Sequence, residues 1–129
     1  MLFRSNPKGS IWRRWDLHFH TPSSFDYHNK NVEDKRIVEV LKANKVAAVA
    51  VTDHHVIDVG RIRSLQKLGG RKLTVFPGIE LRSELGGTEC VHFIGVFPED
   101  CDLEELREKI VGKLNLTTAD IKREGDERI

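Results

Sequence analysis

Asp16-Leu17-His18-Phe19-His20 sets one carboxylate and two imidazoles at alternate positions, and in an extended strand alternate side chains share a face. These donors then point the same way, as ligands of a divalent ion would, while Leu17 and Phe19 turn to the opposite side and can pack. A lone His-x-His also fits two unrelated polar residues on a strand, because so short a motif recurs by chance. The rest of the chain adds weight. Asp53-His54-His55 closes the apolar run Val46 to Val51, Glu80 follows Pro77-Gly78, and Asp26 lies six residues past His20. Imidazole nitrogens mixed with carboxylate oxygens suit Zn, Mn or Fe better than Ca or Mg alone. Cys90 and Cys101 have neither zinc-finger spacing nor the density of a disulfide scaffold, so free thiols are expected.

For these residues to meet, the elements that carry them must lie side by side. Residues 1–14 form a polar lead-in with Arg4, Lys8, Arg13 and Arg14. A first strand is predicted at about 15–21, with Trp12 and Trp15 packing near it. A loop rich in Pro, Ser, Asp and Asn follows. Asn31 then caps a helix with Asp34 at its N3 position, and Ile37, Val38 and Leu41 supply the apolar face. Val46 to Val51 reads as a strand covered on both faces. A second helix carries Ile62, Leu65 and Leu68 and stops at Gly69-Gly70. Leu73 to Phe76 makes a third strand closed by Pro77-Gly78, and Val91 to Phe97 a fourth. The last helix starts at Asp102 with Glu105 in capping-box position and runs through Leu103, Leu106, Ile110 and Leu114. Residues 115–129 read as a polar tail or the start of a further element.

That order argues for an α/β domain over 15–114 with a mainly parallel sheet, and sites in such sheets gather beyond the carboxyl ends of the strands. The first three predicted strands all finish in ionisable residues: His18 and His20, then Asp53, His54 and His55, then Glu80. Asp26 lies in the loop after the first. His28 and His55 read as solvent-facing neighbours of the site. Arg82, just past the third strand, offers a bidentate donor for a substrate phosphate, although an exposed arginine without a specific role fits its position as well.

Composition narrows the class. The 129 residues are 39% hydrophobic and 32% charged with a formal net charge of +1, which suits one folded domain and argues against disorder or a globally basic nucleic-acid binder. No apolar run reaches the roughly 20 residues that span a bilayer, and Met1-Leu2-Phe3-Arg4 leads into polar sequence. A cytoplasmic protein with no membrane partner is the expectation. Neither a Gly-x-Ser-x-Gly elbow nor a Walker-type phosphate loop is found, so serine hydrolysis and nucleoside triphosphate binding lack support.

Taken together, Asp16-Leu17-His18-Phe19-His20-Thr21, Thr52-Asp53-His54 and Pro77-Gly78-Ile79-Glu80 resemble the first three motifs of the polymerase-and-histidinol-phosphatase (PHP) domain, in order and in spacing. Thr21 to Asp26 and the stretch Pro77 to Asp100 look most like PHP domains attached to AAA-like ATPases. The resemblance covers about residues 12–114. It implies the N-terminal portion of a distorted (β/α)7 barrel, and a cluster of about two or three divalent ions that hydrolyses phosphate esters through a metal-activated water. By that resemblance His18 and His20 hold a first ion, Glu80 bridges it to a second, and Asp26 with His54 binds another. Asp16 and Asp53 become carboxylates that orient imidazoles. His92 resembles a further family ligand, but it falls near the start of its predicted strand, the wrong end if that strand is parallel.

The family's late histidine and Asp-x-His pair have no counterpart after His92. The expectation is therefore a truncated phosphoesterase, completed by another chain or linked to a downstream ATPase module. Its substrate would be a phosphorylated small molecule or a nucleic-acid end, which Arg13, Arg14 and Arg82 would favour equally. Two alternatives stand beside it. One is a non-catalytic metal-binding or structural half-domain of a larger nucleic-acid-processing or ATPase-linked protein. The other is a barrel hydrolase acting on C–N bonds, which shares the His-x-His of the first strand.

Overall fold

The computed structural model describes residues 12–84 and 90–114, with side-chain surroundings described for all of these except Ser83, Glu84 and Cys90. The lead-in through residue 11 and the tail from residue 115 lie outside the described residues. Four strands, β1 (Arg14–Phe19), β2 (Val46–Val51), β3 (Thr74–Glu84) and β4 (Cys90–Val96), form one sheet in the order β1-β2-β3-β4. Helices α1 (Asp34–Ala43) and α2 (Val59–Gly69) join the first three strands in succession, which makes β1, β2 and β3 parallel; β4 runs antiparallel to β3. Helix α3 (Leu103–Arg107) widens into a π-helical turn, Glu108–Gly112.

The core lies between the sheet and the helices. Ile37, Val38 and Leu41 of α1 and Ile62 and Leu65 of α2 cover Val49 and Val51 of β2 and Val75 and Ile79 of β3, with Leu103 at the margin. These are the apolar positions that helical spacing and the unbroken β2 run assign to the interior. Leu68 is the exception. It lies outside this buried set and is partly exposed, because its helix turns that edge to solvent.

Local chemistry moves several boundaries. Helix α1 starts later than Asn31 implies. Asn31 donates its backbone N–H to the Asn29 side chain at 3.1 Å, a local turn that occupies it three residues before the helix, and Glu33 takes the N-cap position without a side-chain cap. Asp102 does cap α3, accepting from the Glu104 and Glu105 backbone N–H groups at 3.1 Å.

Strand β3 does not stop at Pro77-Gly78. It pairs with β2 over Thr74 to Pro77 and with β4 over Gly78 to Glu84. Pro77 sits where the strand changes partner, so its missing N–H is not needed by the ladder. Gly78 is required by close approach: a Cβ there would lie 2.6 Å from the Gly95 carbonyl oxygen and 3.0 Å from Val51 O.

The sheet face away from the helices is partly open among the described residues. Trp15 is 60% exposed with its ring centroid 6.3 Å from that of Phe76, while Trp12 is almost wholly exposed. Trp15 thus packs beside the first strand as expected, whereas Trp12 does not. Trp15 shares the register of Ala48 and Thr74, on the opposite face from Val49 and Val75.

Candidate metal centre

His18 lies near the carboxyl end of β1, His20 immediately after it and His54 just beyond β2. Glu80 lies within β3, yet it occupies the same rim, because the β2–β3 pairing ends at Val51–Pro77 and resumes as a single parallel bridge between His54 and Glu80. The Glu80 N–H donates to the Asp53 carbonyl at 3.1 Å, and its carbonyl accepts from the His55 N–H at 2.9 Å. Both backbone groups of Glu80 are thus fastened to the segment that carries His54.

Four imidazoles surround that side chain. His18 Nε2 and His20 Nε2 lie 2.7 and 2.8 Å from Glu80 Oε2, and His92 Nδ1 lies 2.6 Å from Oε1. His54 Nε2 stands 3.6 Å from Oε2. The carboxylate is buried, with its side chain only 2% exposed, whereas His18 is half open to solvent. Burial pushes the Glu80 carboxyl upward, but hydrogen bonds from His92, His18 and His20, with the charge of His54, outweigh it and bring the pKa down to about 2.

The position of His92 follows from strand direction. In an antiparallel pair the start of β4 lies beside the far end of β3. The register sets Arg82 opposite His92 and Glu80 opposite Ile94, so all four share one face of the sheet. His92 therefore reaches Glu80 diagonally from the amino-terminal part of its strand.

Asp26 is exposed in the loop after β1, with Oδ2 3.3 Å from His54 Nε2 and 4.0 Å from His20 Nδ1. Burial is the largest single influence and raises its pKa, but the Ser24 hydrogen bond and the charges of His54 and His20 together leave it lowered overall. Two sets of ligand atoms result: His18, His20 and Glu80 in one, His20, Asp26 and His54 in the other, each within 4.8 Å. They share His20. Each set offers two imidazole nitrogens and one carboxylate oxygen, the mixed donors that transition ions take. Each ring nitrogen facing the buried carboxylate must either donate an N–H to it or share a cation with it, because two lone pairs cannot face each other at this distance. The residues present fit a divalent metal.

The remaining candidates hold the frame. Asp53 is buried and both its oxygens bind Thr21, the backbone N–H and the hydroxyl each at 2.6 Å. It fastens the residue next to His20 rather than bonding an imidazole as expected. Burial raises its pKa to about 6 against the opposing pull of Thr21. Asp16 Oδ1 accepts from the His18 backbone N–H at 3.1 Å, again the backbone of a candidate ligand and not its ring. Arg82 lies inside β3, not beyond it, and its backbone N–H meets His55 Nε2 at 3.4 Å.

His55 is a correction of another kind. It is buried, not solvent-facing, because a left-handed backbone (φ 56°) turns it inward after β2. His28 is exposed and lines a cavity of about 440 Å³ with His20, Asp26, Tyr27, Asn29 and Val32. Ser24 was not singled out by sequence pattern, although its hydroxyl links Asp26 to His54; the Ser-x-Asp spacing, which favours a local side-chain turn, was the available signal.

No family model matches the chain, and no curated protein matches it. Among solved structures it is similar to an amidohydrolase from Chromobacterium violaceum, determined with bound sulfate and no metal. The two are 23% identical with a TM-score of 0.52, over 79% of this chain and 35% of that chain. The likeness is one of fold. The chain is an α/β protein whose four-stranded, mostly parallel sheet is compatible with part of a barrel, and it carries a candidate metal centre at the rim. No helix among the described residues is long and apolar enough to cross a membrane.

Proposed function

We propose that the chain is a metal-dependent phosphoesterase of the PHP type, hydrolysing the phosphate ester of a small molecule or a nucleic-acid end. The observation that carries this reading is the convergence of His18, His20, His54, His92 and Asp26 on or beside the buried carboxylate of Glu80. Zn, Mn or Fe bound by these residues would supply Lewis acidity and a water ionised near neutral pH. The chain's own groups do the rest. His20 ties the two ligand sets together, while Asp53 holds Thr21 and Asp16 the backbone of His18 so that the imidazoles keep their aim. Arg82 shares the sheet face of Glu80 and His92 and is the donor for a phosphoryl oxygen. The cavity at Tyr27, His28 and Asn29 adjoins His20 and Asp26 and receives the leaving group. A completing chain or an ATPase-linked module belongs to this reading as a partner.

A second reading, hydrolysis of a C–N bond, is favoured by the name of that structure, an amidohydrolase. One assay separates the two. Protein treated with chelator and reloaded with Mn or Zn is offered p-nitrophenyl phosphate, bis-p-nitrophenyl phosphate, an N-acyl amino acid and a cyclic ureide. Turnover of the phosphate esters, abolished in His20→Ala, is the expected result. Turnover of the amide or ureide alone overturns it in favour of C–N chemistry, and metal binding without turnover of any substrate identifies a non-catalytic module.

A further inference from the structure

The loop between β1 and α1 is held more tightly than its exposure at Asp26 suggests. Ser24, wholly buried, donates its backbone N–H to Thr21 O at 2.9 Å. Lys30 Nζ donates to the carbonyls of Ser24 and of Phe25, the latter at 3.0 Å. The Ser24 hydroxyl makes two further bonds, to Asp26 Oδ1 at 2.7 Å and to the His54 backbone N–H at 3.2 Å. Their directions are forced. An N–H can only donate and an ionised carboxylate can only accept, so the hydroxyl gives its one proton to Asp26 and accepts from His54.

We infer that Ser24 is a positioning residue for the ligand set His20, Asp26 and His54: its hydroxyl occupies Asp26 Oδ1, turns Oδ2 toward the two imidazoles, and ties that carboxylate to the backbone of His54. The inference rests on the metal-dependent reading above. An unrestrained exposed aspartate samples several rotamers, and a buried donor on one oxygen removes that freedom. Asp26 Oδ2, 3.3 Å from His54 Nε2, is the oxygen left for a cation. The set formed by His18, His20 and Glu80 has no hydrogen bond to Ser24 among the described residues, so the effect is confined to one of two sites. Outer hydrogen-bond partners of metal ligands typically change affinity by about 10–100-fold.

The test is calorimetric titration of the chelator-treated full chain with Mn, together with the d–d absorption of the Co-loaded protein. Wild type binds two ions. Ser24→Ala is expected to weaken one of them by about 10–100-fold, to leave the other within about twofold, and to alter only the weaker ion's Co bands; Ser24→Thr, which keeps the hydroxyl, restores most of the loss. In an Asp26→Ala background Ser24→Ala has no further effect, as groups acting through one another are non-additive. If Ser24→Ala fails to fold, as judged by circular dichroism, Ser24→Cys, with its weaker donor, takes its place and weakens the same ion. Equal loss at both ions, no loss at either, or full additivity with Asp26→Ala overturns the inference while leaving the metal centre standing. A wild type that takes up no ion removes both.

Discussion

His20 Nε2 lies 2.8 Å from Glu80 Oε2 across a separation of 60 residues, and the same imidazole presents Nδ1 toward Asp26 at 4.0 Å. The two sets of ligand atoms meet at this ring and differ in their other members, which makes them separable by mutation at His18 or Asp26.

His20→Ala should weaken both ions by more than the roughly 10–100-fold that loss of an outer partner costs. His18→Ala should weaken only the ion beside Glu80, and Asp26→Ala only the ion beside His54. Titration stoichiometry reads this directly; equal losses in all three variants would mean that the ligand sets do not act as two sites.

The two buried acids give opposite pH dependences in chelator-treated protein. Glu80 is lowered from 4.5 to about 2, so the fold favours its charged form. Its contribution to stability is full above 4.5 and is lost as the pH falls toward 2. Asp53 is raised from 3.8 to about 6, so its contribution is full below 3.8 and is lost as the pH rises through 6. Denaturant midpoints of wild type and Glu80→Gln should therefore converge as the pH falls through 4. Asp53→Asn should gain on wild type between pH 4 and 6. A difference that stays constant across pH for both variants contradicts the assignment.

Gly78→Ala should cost about 1–3 kcal/mol, the usual penalty for forcing atoms into a packed site. The added Cβ meets two backbone oxygens, Gly95 O and Val51 O, neither of which is the end of a flexible side chain. Urea unfolding measures the loss. Metal uptake should fall with it, since Gly78 joins the β2 and β4 sides of the strand that carries Glu80.

Arg82→Ala should raise KM for a phosphate ester by roughly 10- to 100-fold, the equivalent of a charge-assisted hydrogen bond worth about 1.5–3 kcal/mol, with ion stoichiometry unchanged. Arg82→Lys should recover only part of it, because an ammonium lacks the planar fork. A change in ion binding instead of KM would place Arg82 in the frame of the site.

Periodicity and residue chemistry carried much of this molecule into its sequence. Ile37, Val38 and Leu41, the β2 run, Ile62 and Leu65, and Asp102 as a cap are where spacing puts them. His18, His20, Asp53-His54 and Glu80 are legible as candidate site residues because they stand at the ends of predicted strands, whereas Asp16 does not keep the expected alternation with the two histidines: a register shift between Asp16 and Phe19 interrupts it. Asn31 misleads because Asn29 competes for the same turn two residues earlier. Pro77-Gly78 reads as a stop because a proline ordinarily ends a strand, whereas here it marks a change of partner.

Only tertiary structure decided that β4 runs antiparallel, which brings His92 within 2.6 Å of Glu80 from the unexpected end of its strand. It also turned His55 inward, left Trp15 on an open sheet face and seated Ser24 between Asp26 and His54. Strand direction, burial and hydrogen-bond partnership depend on which distant segment lies alongside. A residue's type and spacing set what it can bond, but the neighbour that satisfies it is chosen when the sheet assembles.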